Sequence, residues 1–160
     1  NSGEVILCDL GAADARVDLT VIGDTVNAAA RLESASKQYG VTNLVSENTL
    51  AGLEQKFFTR IVDEVRVKGK SESLRCYEVF CLSGEEEDKL KHLKENFETG
   101  FKHYQLGEFL EAKSLFTKSE EYETPSNENA TASKLYMDRC DYLMANKPDN
   151  WTGIWSLSEK

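Results

Sequence analysis

The sequence predicts an α+β fold for the first half of the chain and a small all-α extension for the second. Three observations predict it. Short apolar or alternating runs, broken by Gly, Asp and Ser, fill residues 3–82 around one amphipathic segment at 25–39. An acidic run, "SGEEED" at 83–88, ends that pattern. Beyond it, apolar residues recur three or four positions apart, which is the period of a helix face.

The elements follow in order. "GEVILCDL" at 3–10 is a mostly apolar run led by glycine and reads as a strand. "GAADARVD" is polar and rich in Gly and Ala, so it reads as a loop or turn, and "LTVI" at 19–22 is a second strand. Gly23-Asp24 breaks the strand. A helix over 25–39 follows, with Asp24 as its N-cap, Ala28, Leu32 and Ala35 as its apolar stripe and Gly40 as its stop. "VTNLVS" at 41–46 is a third strand, and Ser46 caps a short helix, "ENTLAGL". Residues 57–80 alternate on both sides of "KGKSES", which predicts a long β-hairpin with a charged tip.

In the second half, Leu90, Leu93, Phe97, Phe101 and Tyr104 form one stripe, and Phe109, Ala112, Leu115, Phe116 and Ser119 form another across Gly107. This is a helix–Gly turn–helix unit. "ETPSNENA" is a loop. A third helix over 131–146 carries Leu135, Tyr136, Arg139, Cys140 and Leu143 on one side. "GFKHYQLGEFLEAKSLF" resembles a tetratricopeptide repeat, with about one and a half units present, too few for a free-standing solenoid. Trp151 and Trp155 are expected to pack the end of the chain back onto these helices. The domain division therefore falls at 1–82 and 83–160.

Composition narrows the functional classes. The 160 residues are 40% hydrophobic and 29% charged, as in a soluble globular protein. The formal net charge of −9 argues against nucleic acid as a partner. Residues 1–82 hold nine basic and twelve acidic side chains, and 83–160 hold ten and sixteen, so the acidity lies mainly in the helical half. No apolar run reaches membrane-span length, and no signal peptide is visible. The first residue is Asn, and the chain reads as a piece of a longer protein. Cys8, Cys76, Cys81 and Cys140 contain no C-x-x-C pair. The first three lie among apolar residues and read as buried reduced thiols, which fits a cytoplasmic segment. His92 and His103 lack metal-ligand spacing and read as ordinary helix residues.

Two polar features stand out. Asn27 and Arg31 are one turn apart near the start of a helix that follows a strand. A helix N-terminus favours anions, a guanidinium can bind phosphate oxygens bidentately, and an amide can bond a sugar oxygen. On spacing alone, a locally hydrogen-bonded surface pair is the simpler reading. Lys68 and Lys70 flank Gly69 at the hairpin tip. They can reach over a polyphosphate, or they can protect an edge strand.

Together, "DLTVIGDTVNAAARLESASKQYGV" and "VRVKGKSESLRCYEV" resemble the C-terminal half of a class III adenylate/guanylate cyclase catalytic domain, over residues 3–80. The resemblance implies a partial ferredoxin-like domain in which an antiparallel or mixed sheet packs on helices, followed by the helical-hairpin tail. It implies conversion of ATP to 3′,5′-cyclic AMP and pyrophosphate by in-line attack of the 3′-hydroxyl. Asn27 would orient the ribose and Arg31 would stabilise charge on the α-phosphate. Lys68 would contact the terminal phosphates, and Thr20, seven residues before Asn27, would help select the base. Many bacterial adenylyl enzymes have Thr at that position, which tilts the reading to ATP over GTP.

The family uses two divalent ions, Mg²⁺ or Mn²⁺, held by aspartates upstream of the matched region. Asp9, Asp14, Asp18 and Asp24 are therefore not assigned to metal. The family works as a head-to-tail homodimer with composite sites, so the chain by itself is expected to make no cyclic nucleotide. The tail also resembles helical extensions of some bacterial membrane-anchored cyclases. A protein partner for the tail and an inner-membrane anchor on the parent are further implications. The rival from another class is a cyclase-like or tetratricopeptide-like interaction module without turnover.

Overall fold

A computed structural model of the chain describes residues 1–11, 18–53, 57–66, 73–125, 131–146 and 150–155. Its elements run β1 (Ile6–Leu10), β2 (Asp18–Ile22), α1 (Asp24–Tyr39), β3 (Val45–Ser46), α2 (Glu47–Ala51), β4 (Phe57–Arg66), β5 (Ser73–Leu82), α3 (Asp88–Leu106), α4 (Phe109–Glu120) and α5 (Ala132–Ala145). This is the expected α+β order followed by helices. The strands form two antiparallel sheets: a ribbon β1-β2, and a three-stranded sheet in the order β3-β5-β4.

Several elements differ locally from expectation. Asp24 does not cap α1. The cap position is Gly23, whose φ of 146° suits glycine, and its carbonyl accepts from the Val26 and Asn27 N–H groups at 3.1 and 3.2 Å. Asp24 is the first helical residue, where its charge complements the helix dipole. Gly40 ends α1 in the left-handed conformation, as expected. The third strand shrinks to Val45–Ser46. The reason is Asn43, whose side-chain amide takes both ladder bonds of Val79, donating to its carbonyl at 3.0 Å and accepting from its N–H at 2.9 Å. The Ser46 hydroxyl does cap α2, accepting from the Thr49 N–H.

The β4–β5 hairpin carries two register shifts, one beside Phe58/Thr59 and one between Ile61 and Asp63. The second is a bulge: Ile61 faces Tyr77 and Asp63 faces Cys76, so Val62 is the extra residue. It turns Val62 and Asp63, which a regular strand would aim at opposite faces, both into the interior.

One hydrophobic core runs from Leu32 and Tyr39 of α1, through Val62 and Cys76 of the hairpin, to Phe97, Phe101, Phe116, Tyr136 and Leu143 of the helices. Helices α3 and α4 approach closely at Gly100, where an added Cβ would lie 3.2 Å from Leu115 and Phe116 and 3.3 Å from the Ala112 carbonyl. Trp151 folds back as expected, donating to the Tyr104 and Gln105 carbonyls at 3.0 and 3.1 Å, and Trp155 packs on Tyr142. All four cysteines are free. Cys76 and Cys140 are buried, whereas Cys8 and Cys81 are only half-buried, because β1 lies in the open ribbon and Cys81 near the end of β5. Among the described residues no helix is long and apolar enough to cross a membrane.

Candidate functional site

The helix α1 presents Asn27 and Arg31 on one exposed face, one turn apart. Its sequence explains why. Leu32 turns inward and Ala28 and Ala35 flank it, which leaves the neighbouring polar positions outside. Among the described residues neither Asn27 nor Arg31 has a side-chain hydrogen bond or ion pair within the chain. A surface pair that bonds locally is therefore not what forms. Nearby, Lys37 pairs with Glu33 on the same helix at 2.5 Å.

Arg31 lines a pocket of about 440 Å³ between α1 and the hairpin. Its other walls include Ala28, Leu32 and Ala35 from the helix and Val65, Leu74 and Cys76 from the hairpin stem. Val65 pairs with Leu74 and Arg66 with Ser73, so these walls lead directly to the tip at 67–72. Lys68 and Lys70 belong to that tip and lie outside the described residues, as does Asp14. Asn27 is on the same helix face as Arg31 but is not part of the pocket wall. Thr20 sits in the middle of β2, half-buried and paired with Cys8 of β1, and the strand runs straight into the Gly23 turn that starts α1. The fold thus joins Thr20, Asn27 and Arg31 along one strand–turn–helix unit and brings the stem of the Lys68 hairpin against it.

The Cys76 thiol on this pocket's wall is pushed up to about 12 by burial and by the nearby Asp63 charge, so it stays protonated at neutral pH. Its Sγ donates to the Asp63 carbonyl at 3.3 Å. It is a packing residue.

Sequence reasoning missed a second polar group behind this site. Arg60 is fully buried, bonded to Glu78 at 2.9 Å and to Glu123, and its guanidinium lies over Phe97 at 4.6 Å. Asp63 is buried between the Tyr39 hydroxyl, which donates to it, and Arg139, 3.1 Å away. In "FFTRIVDEVRV" Arg60 and Asp63 have opposite parity, so an alternating reading places only one of them on a given face, and nothing in the run itself marks the bulge that comes between them in the fold. No group of three or more His, Cys, Asp or Glu side chains among the described residues could hold a metal ion.

Comparison with known proteins adds an independent line. The sequence model of the family described as "Adenylate and Guanylate cyclase catalytic domain" matches residues 1–84. The chain is 42% identical over 80 residues to "Adenylate cyclase" of Anabaena cylindrica, covering 48% of this chain and 16% of the relative. It is 33% identical over 147 residues to "Adenylate cyclase, terminal-differentiation specific" of Dictyostelium discoideum, covering 88% of this chain and 6% of the relative. It is 35% identical over 79 residues to "Adenylate cyclase 1" of Rhizobium meliloti, covering 49% and 12%. The chain thus spans less than a fifth of the length of each of these relatives. The Dictyostelium match extends well past residue 84, into the helical half. No solved structure gives a significant match.

Proposed function

This chain belongs to the adenylate and guanylate cyclase catalytic domain family, and from that premise we propose that it supplies the ribose- and phosphate-facing half of a site that converts ATP to 3′,5′-cyclic AMP and pyrophosphate. The observation that carries the reading is Arg31. It is exposed, has no partner among the described residues, and stands on the wall shared by α1 and the stem of the hairpin that bears Lys68.

In this reading the 3′-oxygen forms a bond to the α-phosphorus while the bond to the pyrophosphate oxygen breaks. Arg31 meets the negative charge that grows on the α-phosphate in the transition state. Asn27, one turn earlier, hydrogen-bonds the ribose and holds the attacking hydroxyl in line. Lys68 takes the terminal phosphates. Thr20 stands at the base-contacting position, and the Thr found there in many bacterial adenylyl enzymes favours adenine, with GTP as the weaker alternative because one hydroxyl can both donate and accept. Two divalent ions, Mg²⁺ or Mn²⁺, neutralise phosphate charge when bound in this family. The described residues do not fit a metal ion, so its ligands are assigned to residues other than these.

Support for a composite site comes from the β1–β2 ribbon. Ile6 and Leu7, adjacent and therefore on opposite faces, are each 63% exposed, and Leu19 is 67% exposed. A ribbon that is apolar on both faces needs cover, and a head-to-tail second protomer provides it. Four free thiols and an ATP substrate suit a cytoplasmic setting. The helix–Gly turn–helix over α3 and α4 is read as a tetratricopeptide-like extension able to hold a protein partner.

The test is cyclase activity of the full-length protein with ATP and Mg²⁺ or Mn²⁺. Arg31→Ala is expected to lower kcat by about 10²–10³-fold with a much smaller change in KM, the range for loss of one transition-state donor. Unchanged activity in that variant would remove Arg31 from the site. The present chain alone is expected to give no cyclic nucleotide.

A further inference from the structure

The helical half is tied to the candidate site by a buried chain of polar contacts. Tyr39 is the last residue of α1, eight positions after Arg31, and is 1% exposed. Its hydroxyl donates to Asp63 Oδ2. The same oxygen accepts from Arg139 Nη1 of α5 at 3.1 Å, with both side chains buried. Asp63 reaches this point only because the β4 bulge turns it inward. Arg139 is caged by rings from both halves of the chain. Its guanidinium lies over Tyr39 at 5.5 Å, Tyr136 at 4.9 Å and Trp155 at 5.2 Å.

Packing alone would favour apolar residues here. A buried ion pair contributes little net stability compared with apolar residues of the same volume. This cluster also leaves the Tyr136 hydroxyl buried without a partner among the described residues. What the arrangement does provide is direction. Two donors, the Tyr39 hydroxyl and Arg139 Nη1, converge on the one Asp63 oxygen and tie the end of α1, the strand β4 and the helix α5 together. Cys76, which bonds the Asp63 carbonyl, is itself a wall of the Arg31 pocket.

We propose that Arg139 is a positioning residue for the reaction at Arg31, acting through Asp63 and Tyr39, so that the helical extension sets the alignment of α1 against the hairpin. This rests on the cyclase reading above. The extension is then a working part of the catalytic unit and not an appendage. The match to the Dictyostelium relative, which runs through both halves, agrees with the two being kept together.

The experiment uses the full-length protein with ATP and Mn²⁺. Tyr39→Phe keeps the ring that packs on Arg139 and removes only the hydroxyl, so it is expected to fold. It should lower kcat by about tenfold or more, since a displacement of about 1 Å can cost about 10²-fold, while KM changes by less than about twofold. In an Arg31→Ala background the same change should have almost no further effect, because the group being positioned is gone. Arg139→Lys, which keeps the charge but loses the planar fork, should follow the same pattern. Equal loss in both backgrounds would mean a merely structural role and would overturn the proposal. Hydrogen exchange of the α1 amides reads the coupling without any activity: faster exchange over residues 36–40 in Tyr39→Phe and Arg139→Lys is expected, and unchanged exchange counts against it. A wild-type protein without cyclase activity would instead sink the functional reading.

Discussion

Arg60 is the residue on which the two halves of the chain converge electrostatically. It is 1% exposed, pairs with Glu78 on the neighbouring strand and with Glu123 after α4, and lies between Phe80 and Phe97. Two carboxylates around one guanidinium leave an excess negative charge in a buried place. Burial raises the Glu78 carboxyl above its ordinary value of 4.5, Arg60 opposes the rise, and Glu123 adds to it. Folded Glu78 therefore holds its proton more tightly than it does in the unfolded chain. Its contribution to stability is fully present below the unfolded value and is lost as pH rises through the folded one. Glu78→Gln removes that loss. The variant's Tm is expected to gain on the wild type as the pH rises above the ordinary value of 4.5, and a difference that stays constant with pH would show that the Glu78 carboxyl is not raised by folding.

At the scale of the element, small residues and bulges decide the geometry. Gly100 has no room for a side chain, because Leu115, Phe116 and the Ala112 carbonyl stand within 3.3 Å of the position a Cβ would take. Gly100→Val is expected to destabilise the chain by about 3 kcal/mol, the upper end of the overpacking range, measured by urea unfolding. A neutral result would mean that α3 and α4 are not packed this closely. The helical stripes that place these residues were legible in the sequence. Leu93, Phe97, Phe101 and Tyr104, then Phe109, Ala112 and Phe116, are all buried where a 3.6-residue period puts them. The strand bulges were not legible. A single extra residue leaves no local signature when its neighbours remain alternating, and only the long-range pairing of Asp63 with Cys76 exposes it.

At the scale of the whole molecule, the composition break at Ser83–Asp88 and the continuity of the core point in different directions. The sequence changes character there, yet the core runs from Leu32 to Leu143 without interruption. Two buried charge groups cross the boundary, Arg60–Glu123 and Asp63–Arg139. Breaking such a pair costs about 3–5 kcal/mol, and two of them together approach the total stability of a small domain, about 5–15 kcal/mol. A chain ending at residue 84 is therefore expected to show no cooperative unfolding transition by circular dichroism. A truncated chain that unfolded with the Tm of the intact one would make the boundary a folding boundary as well as a compositional one.

The sequence by itself determined the order of the elements, the helix faces and the Gly40 and Gly107 stops, each through periodicity or residues close together in the chain, and the family through a resemblance carried by two separate motifs. The resemblance singled out Asn27 and Arg31, where spacing alone favoured a bland surface pair. The structure sharpened the assignment by leaving both side chains without partners among the described residues and by setting Arg31 against the stem of the hairpin that carries Lys68. Only the tertiary structure decided that Asn43 replaces a stretch of strand, that Cys8 stays half-exposed, and that Tyr39, Asp63 and Arg139 meet. These three residues come from a helix end, a bulged strand and a helix 76 positions later, and no local pattern connects them. Their meeting depends on the fold closing around them, because a buried carboxylate is stable only where distant partners arrive to satisfy it.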